Sequence, residues 1–256
     1  MNRIQQLFKR KQENVLNIFC TAGYPGIADI VPIIETLEES GADLVEIGIP
    51  YSDPTADGTT IQYSNGIALK NGMTLKLLLE QLKDIRKTVS VPLIFMGDIN
   101  PILQFGMDEF LQQCETIGID GVILPNLPLR EFELMYKEKF EQHKVSNVFL
   151  ITPQTSEERI RKIDKITDSF IYVVSTFATT GGQLNVEGQS TYFQKIKDMN
   201  LGNPALIGFG IGDNASFKAA CKYLNGAIIG SAFIKALDGS KDVKADTRKF
   251  VEGILK

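Results

Sequence analysis

Histidine is nearly absent from this chain of 256 residues, which carries one, His143. It closes the helix-like stretch before the fifth strand-like run, away from the loops that leave the strands. That excludes a histidine-based metal site and a Ser-His-Asp triad. Cysteine is scarce too. Cys20, Cys114 and Cys221 are odd in number, far apart and set in apolar segments. They read as reduced core residues, and the expected compartment is the cytoplasm. Positive charge is not in excess: 27 Lys and Arg stand against 31 Asp and Glu, a net charge of −4. With no basic block interleaved with aromatics, a nucleic-acid surface is not expected. No apolar run is long enough to span a membrane. The opening MNRIQQLFKRKQENVL lacks the apolar stretch of a signal peptide.

What is present is alternation. Strand-like runs lie at 15–23, 43–49, 91–96, 119–125, 146–152, 169–175, 204–210 and 225–231. Helix-like segments separate them, among them 27–40, 74–86, 107–116, 130–140 and 156–166. In TLKLLLEQLKDIR the residues Leu75, Leu78, Leu79, Leu82 and Ile85 recur at helical spacing, with charges on the other face. Several strands are nearly continuous apolar runs, as parallel strands covered on both faces are. Eight such units in about 250 residues match a single (β/α)8 TIM barrel, here spanning residues 1–256 with an additional N-terminal helix. A doubly wound sheet has the same periodicity; the eight-fold count favours the barrel.

In a barrel the loops that leave the strands form the active face. After the seventh strand comes GFGIGDN, with Gly208, Gly210 and Gly212, and after the eighth IIGSAFIK, with Gly230 and Ser231. ATTGGQ (178–183) follows the sixth. Any one of these is explained as a tight turn. Three in the positions where barrels bind phosphate point to an anion held by backbone amides.

The segment LVEIGIPYSDPTADG (44–58) places an acid, Glu46, inside an apolar strand. Strand alternation puts Leu44, Glu46 and Gly48 on one face and Val45, Ile47 and Ile49 on the other. The β-branched face suits the outer helices, so Glu46 is expected to point into the barrel, with Gly48 leaving open space above it. An apolar setting raises a carboxyl pKa, which suits a group that donates a proton and later takes one. No basic residue sits at a strand exit to pair with it, and no lysine is placed for a Schiff base. Asp53 and Asp57, taken alone, are turn formers. Carboxylate acid–base chemistry on a small phosphorylated molecule remains, with Phe19, Tyr172 and Phe209 as apolar walls.

Together FCTAGYPG, DLVEIGIPYSDPTADG, FIYVVST, GFGI and GSAFIK resemble the tryptophan synthase α subunit family, from about residue 15 to the C-terminus. The resemblance implies a barrel lyase that splits indole-3-glycerol phosphate into indole and glyceraldehyde 3-phosphate. It implies that Glu46 is the acid–base glutamate and that Asp57 accepts a hydrogen bond from the indole N–H. Phe19, Ile151, Tyr172 and Phe209 then line the indole pocket, and Gly181, Gly210, Gly230 and Ser231 hold the phosphate. It further implies a β-subunit partner in an α2β2 assembly. Pyridoxal phosphate belongs to that partner, and this chain needs no cofactor or metal of its own. Asp53, Asn100 and Pro101 match positions at that contact. Four departures stand out: Thr59 where proline is usual, ATTG in the loop after strand six, Asn126 for a frequent aspartate, and Asp98 for a frequent tyrosine. An activating subunit with little lyase activity, a phosphosugar isomerase and a stand-alone lyase are the other readings.

Overall fold

The computed structural model describes residues 1–54, 57–175, 186–208 and 210–256, with the side chains of 186–188 set aside. Eight parallel strands close into a barrel in sequence order. They are β1 (Val15–Thr21), β2 (Leu44–Gly48), β3 (Leu93–Met96), β4 (Gly121–Ile123), β5 (Ser146–Ile151), β6 (Ile171–Val174), β7 (Ala205–Gly208) and β8 (Gly226–Ile229). The expected eight-fold count and closure both hold; the strands are shorter at their ends than the apolar runs that encode them.

Helices cover the outside: α1 (Arg3–Arg10), α2 (Ile30–Ser40), α3 (Thr59–Lys70), α4 (Leu75–Leu82), α5 (Ile99–Phe105), α6 (Met107–Ile117), α7 (Leu129–Glu131) and α8 (Lys137–Gln142). They continue with α9 (Glu157–Ile166), α10 (Val186–Asp198), α11 (Asn214–Cys221), α12 (Ser231–Ala236) and α13 (Val243–Leu255). The stretch expected as one helix over 130–140 is α7 and α8 joined by a π-helical segment, Phe132–Tyr136. The stretch expected over 74–86 is α4, followed by a 3₁₀ turn at Ile85–Lys87. Helix α3 was not foreseen. Its sequence TTIQYSNGIALK buries Ser64 and Asn65 beside Ile61 and Ala68, so its inner face does not read as apolar.

The N-terminal helix plugs the barrel floor. Asn2 caps α1 in a reciprocal pair with Gln5. Its Nδ2 also donates to Asp120 O (3.1 Å) and Ser146 Oγ (2.8 Å). Ile4 is fully buried beneath β4, and a Cβ at Gly121 would lie 3.0 Å from its Cδ1. Around it a charged cluster ties the floor together. Asp120, 2% exposed, accepts from Arg86 Nη2 (2.7 Å), Arg3 Nη1 (3.2 Å), the Arg3 amide (3.1 Å) and the Leu93 amide (3.0 Å). Arg86 also donates to Gly118 O, where φ of +87° ends α6 in the left-handed turn that glycine favours.

Truncating one member of a buried ion cluster leaves the other charges without a counter-ion. Asp120→Ala is expected to cost about 3–5 kcal/mol, read as a lower urea midpoint. A midpoint within error of the parent would show that water replaces the carboxylate.

Candidate active site

Every residue of β2 is buried, because the barrel core lies on one side and the helices on the other. Phe19 of β1 and Ile94 of β3 stand in register with Glu46. Glu46 is therefore an inward carboxyl inside an apolar layer, as its parity predicted. Asn17 Nδ2 donates to Glu46 Oε2 at 3.0 Å. Burial is the dominant influence and raises the Glu46 pKa to about 8; the Asn17 bond opposes it and the nearby Asp57 charge adds to it.

Asp57 sits in the loop above. Its amide donates to Pro54 O (3.2 Å), and Asn65 Nδ2 donates to its Oδ2 at 3.3 Å. Burial raises its pKa to about 6, the Asn65 bond pulls the other way, and the Asp98 charge raises it again. Asn65 is held by α3, and α3 is anchored to β1 by a buried Thr21–Ser64 hydroxyl pair at 2.7 Å. Thr59 is the first residue of α3, with Gly58 as its cap, so the departure from proline falls inside a helical turn.

The space expected above Gly48 is occupied. A Cβ there would meet Phe19 Cζ at 2.5 Å, so the missing side chain is a seat for the Phe19 ring. Gly208 serves Tyr172 in the same way, with the ring 2.2 Å from where a Cβ would stand. Tyr172 is buried, and burial with the Glu46 and Asp57 charges raises its pKa. Between the mouths of β1 to β4 lies a pocket with about 430 Å³ of empty space, part of it open to solvent. Phe19, Asp57, Asn65, Met96, Asp98 and Asn126 are among its walls. Asp98 and Asn126 are joined across two loops by a 2.8 Å bond from Asn126 Nδ2.

Ile151 needs correction as a pocket wall. Tyr172 is in register with Leu150, whereas Ile151 is in register with Val173. Phe149, two residues back, packs edge-on against Phe132 of the outer layer at 5.0 Å. Ile151 thus faces the helices, and Leu150 takes the inward place. Two adjacent apolar residues hid this one-residue slip.

On the far rim, Gly210 has φ of +75° and Gly230 precedes α12, which Ser231 opens. A Cβ on Gly212 would stand 2.9 Å from that of Ala232, so these two loops touch. Gly181 and Phe209 lie outside the described residues. Asp53 is exposed and accepts from Ser52 Oγ at 2.6 Å. Asn100 is exposed on α5, and Pro101 beside it is partly buried. His143 pairs with Glu115 (2.9 Å) beside the floor cleft, away from the acids. A wider furrow between α9 and α10 is bridged by Lys195 and Glu157 (2.9 Å). Asn17 and Asn65 were missed by sequence reasoning. Asn17 carried a signal, as a polar residue in an apolar strand with the parity of Phe19; Asn65 lay on an unrecognised helix.

A closed parallel barrel with two carboxyls at the mouths of its strands, the face on which such barrels react, places the chain among (β/α)8 enzymes. The family described as tryptophan synthase alpha chain matches residues 5–253. A protein of that name from Flavobacterium psychrophilum is 52% identical, with all of both chains covered. Among solved structures, tryptophan synthase subunit alpha from Legionella pneumophila is 31% identical, with a TM-score of 0.88 over 99% of this chain and 97% of that one. A chain from the tryptophan synthase complex of Pyrococcus furiosus is 30% identical, with a TM-score of 0.83 over 95% and 98%. The chain belongs to the tryptophan synthase alpha chain family.

Linkage gives the site a stability signature. The folded protein holds a proton on Glu46 up to about pH 8, whereas an exposed glutamate releases it near 4.5. The stability tied to this group is therefore intact below pH 4.5 and is lost as pH rises through about 8. Glu46→Gln, which cannot ionise, is expected to unfold at higher urea than the parent at about pH 9, with the difference shrinking as pH falls. Parallel pH profiles for the two proteins would contradict the raised pKa.

Proposed function

We infer that the protein cleaves indole-3-glycerol phosphate to indole and glyceraldehyde 3-phosphate, with Glu46 as acid then base and Asp57 as the acceptor for the indole N–H. The observation that carries this is the inward, buried Glu46 beneath Asp57, both with pKa values moved toward neutrality. Near pH 7 Glu46 holds its proton and Asp57 is largely ionised. Glu46 gives its proton to the ring carbon that bears the side chain, while Asp57 stabilises the positive charge this places on the ring nitrogen. The Glu46 carboxylate then takes the proton of the neighbouring hydroxyl. The carbon–carbon bond breaks, its electron pair returns to the ring, and the hydroxyl-bearing carbon leaves as the aldehyde. Phe19, Leu150 and Tyr172 supply the apolar slot. Gly210, Gly230 and Ser231, with Gly181 from the loop after β6, bind the phosphate through backbone amides.

The partner is a β subunit carrying pyridoxal phosphate, in an α2β2 assembly. Supporting this, α5 and the π-helical segment expose Leu103, Leu134 (73%) and Met135 (59%). Exposed aliphatic side chains on outer helices suit a face that is covered in a complex.

Activity should be bell-shaped in pH. It falls below about 6 as Asp57 takes a proton and above about 8 as Glu46 loses one. Glu46→Gln is expected to lower kcat by about 10²–10⁴-fold in an assay of indole release with the β subunit present. Parent-level release from Glu46→Gln would remove Glu46 from the reaction.

A further inference from the structure

Glu46 has one hydrogen bond among the described residues, the 3.0 Å bond from Asn17 Nδ2 to its Oε2. Its other oxygen, Oε1, is buried without a partner, and so is the other polar atom of the same asparagine, Asn17 Oδ1. Both side chains are fully buried. An acceptor oxygen cut off from water on each of two bonded groups is costly unless a proton reaches it. A protonated carboxyl supplies that proton. A carboxamide offers one donor and one acceptor, and so does a carboxylic acid. A protonated Glu46 therefore complements this asparagine: Nδ2–H already bonds to Oε2, and Oε1–H is the donor that Asn17 Oδ1 lacks.

We propose that Asn17 is a positioning residue that pairs with Glu46 as carboxamide with carboxylic acid, holding the proton on Oε1 before catalysis and keeping an N–H on Oε2 once that proton has left. This rests on the reading of Glu46 as acid and base. No covalent change occurs on Asn17. As Oε1–H goes to the substrate, the Oδ1 bond opens and the Nδ2 bond is retained. The carboxylate then keeps one charge-assisted bond and a fixed plane while it collects the hydroxyl proton. Other titratable groups near Glu46 are Asp57 above it, Tyr172 across from it on β6, and Cys20 on β1, whose Sγ lies 3.7 Å from the Glu46 carbonyl oxygen. Burial holds the Tyr172 hydroxyl protonated more firmly than that of an exposed tyrosine. The register explains why Asn17 can do this. It lies two residues before Phe19 on the same inward face, and Phe19 is in register with Glu46. The amide thus reaches the carboxyl from the floor side and leaves the mouth side to substrate.

The test uses the αβ complex and three variants. Infrared difference spectra locate the carbonyl stretch of the protonated Glu46, assigned by its loss in Glu46→Gln. In the parent this band is expected at the low wavenumber of a doubly hydrogen-bonded acid, and in Asn17→Leu it should move up toward that of a free acid. The same variant should lose about 10–100-fold in kcat with KM within about twofold, the signature of a misplaced catalytic group. Asn17→Asp is of the same size and keeps an acceptor. It puts a second carboxyl beside Glu46, and like charge should move the alkaline limb of the kcat profile to higher pH. It also serves as the second probe if Asn17→Leu does not fold. An unmoved band, or an unchanged kcat in Asn17→Leu while Glu46→Gln is inactive, overturns the pairing. An active Glu46→Gln overturns the catalytic reading instead, and the band position still decides the pairing.

Discussion

The constraint on which the site depends is the burial of one carboxyl without a cation. An ionised glutamate on the inward face of an apolar barrel has a high desolvation cost, and among the described residues no lysine or arginine bonds to it. The protein's response is to keep the group protonated near neutral pH. The rest of the mouth follows from that choice. A neutral acid tolerates Phe19 and Tyr172 against it, and those rings need Gly48 and Gly208 beneath them. A second acid in the loop above can stay ionised because Asn65 bonds to it and water still reaches it. The two acids ionise at different pH because burial acts on them unequally.

The floor solves the opposite problem. Asp120 is buried much as Glu46 is, yet it is bonded by two arginines and two backbone amides. No proton need be retained or passed there. The barrel thus carries a carboxylate held by cations at its floor and a carboxyl without one at the mouths of its strands. This matches the general division of (β/α)8 enzymes, in which one face holds the fold and the other reacts.

Most of this was legible in the sequence. Eight apolar runs at even spacing gave the barrel, and the parity of Glu46 against Val45 and Ile47 gave its direction. The misreadings have physical causes. Helix α3 was hidden because its buried face is Ser64 and Asn65, which serve polar contacts and break the apolar periodicity. Ile151 was preferred to Leu150 because two neighbouring aliphatics carry no parity of their own; only the pairing of β5 with β6 separates them. Gly48 was read as empty space because a sequence does not say which ring leans over a glycine. The reading of Asp57 as more than a turn residue rests on family likeness and not on spacing.

The seats beneath Phe19 and Tyr172 bear on how such a pocket can change. Its width is encoded by two absent methyl groups, and each absence is already used by a ring. A single added carbon at position 48 or 208 would push an aromatic wall inward without touching either acid. Drift at these positions can therefore narrow the range of admissible ring sizes but cannot widen it. At these two places widening has to come from the rings of Phe19 and Tyr172 themselves.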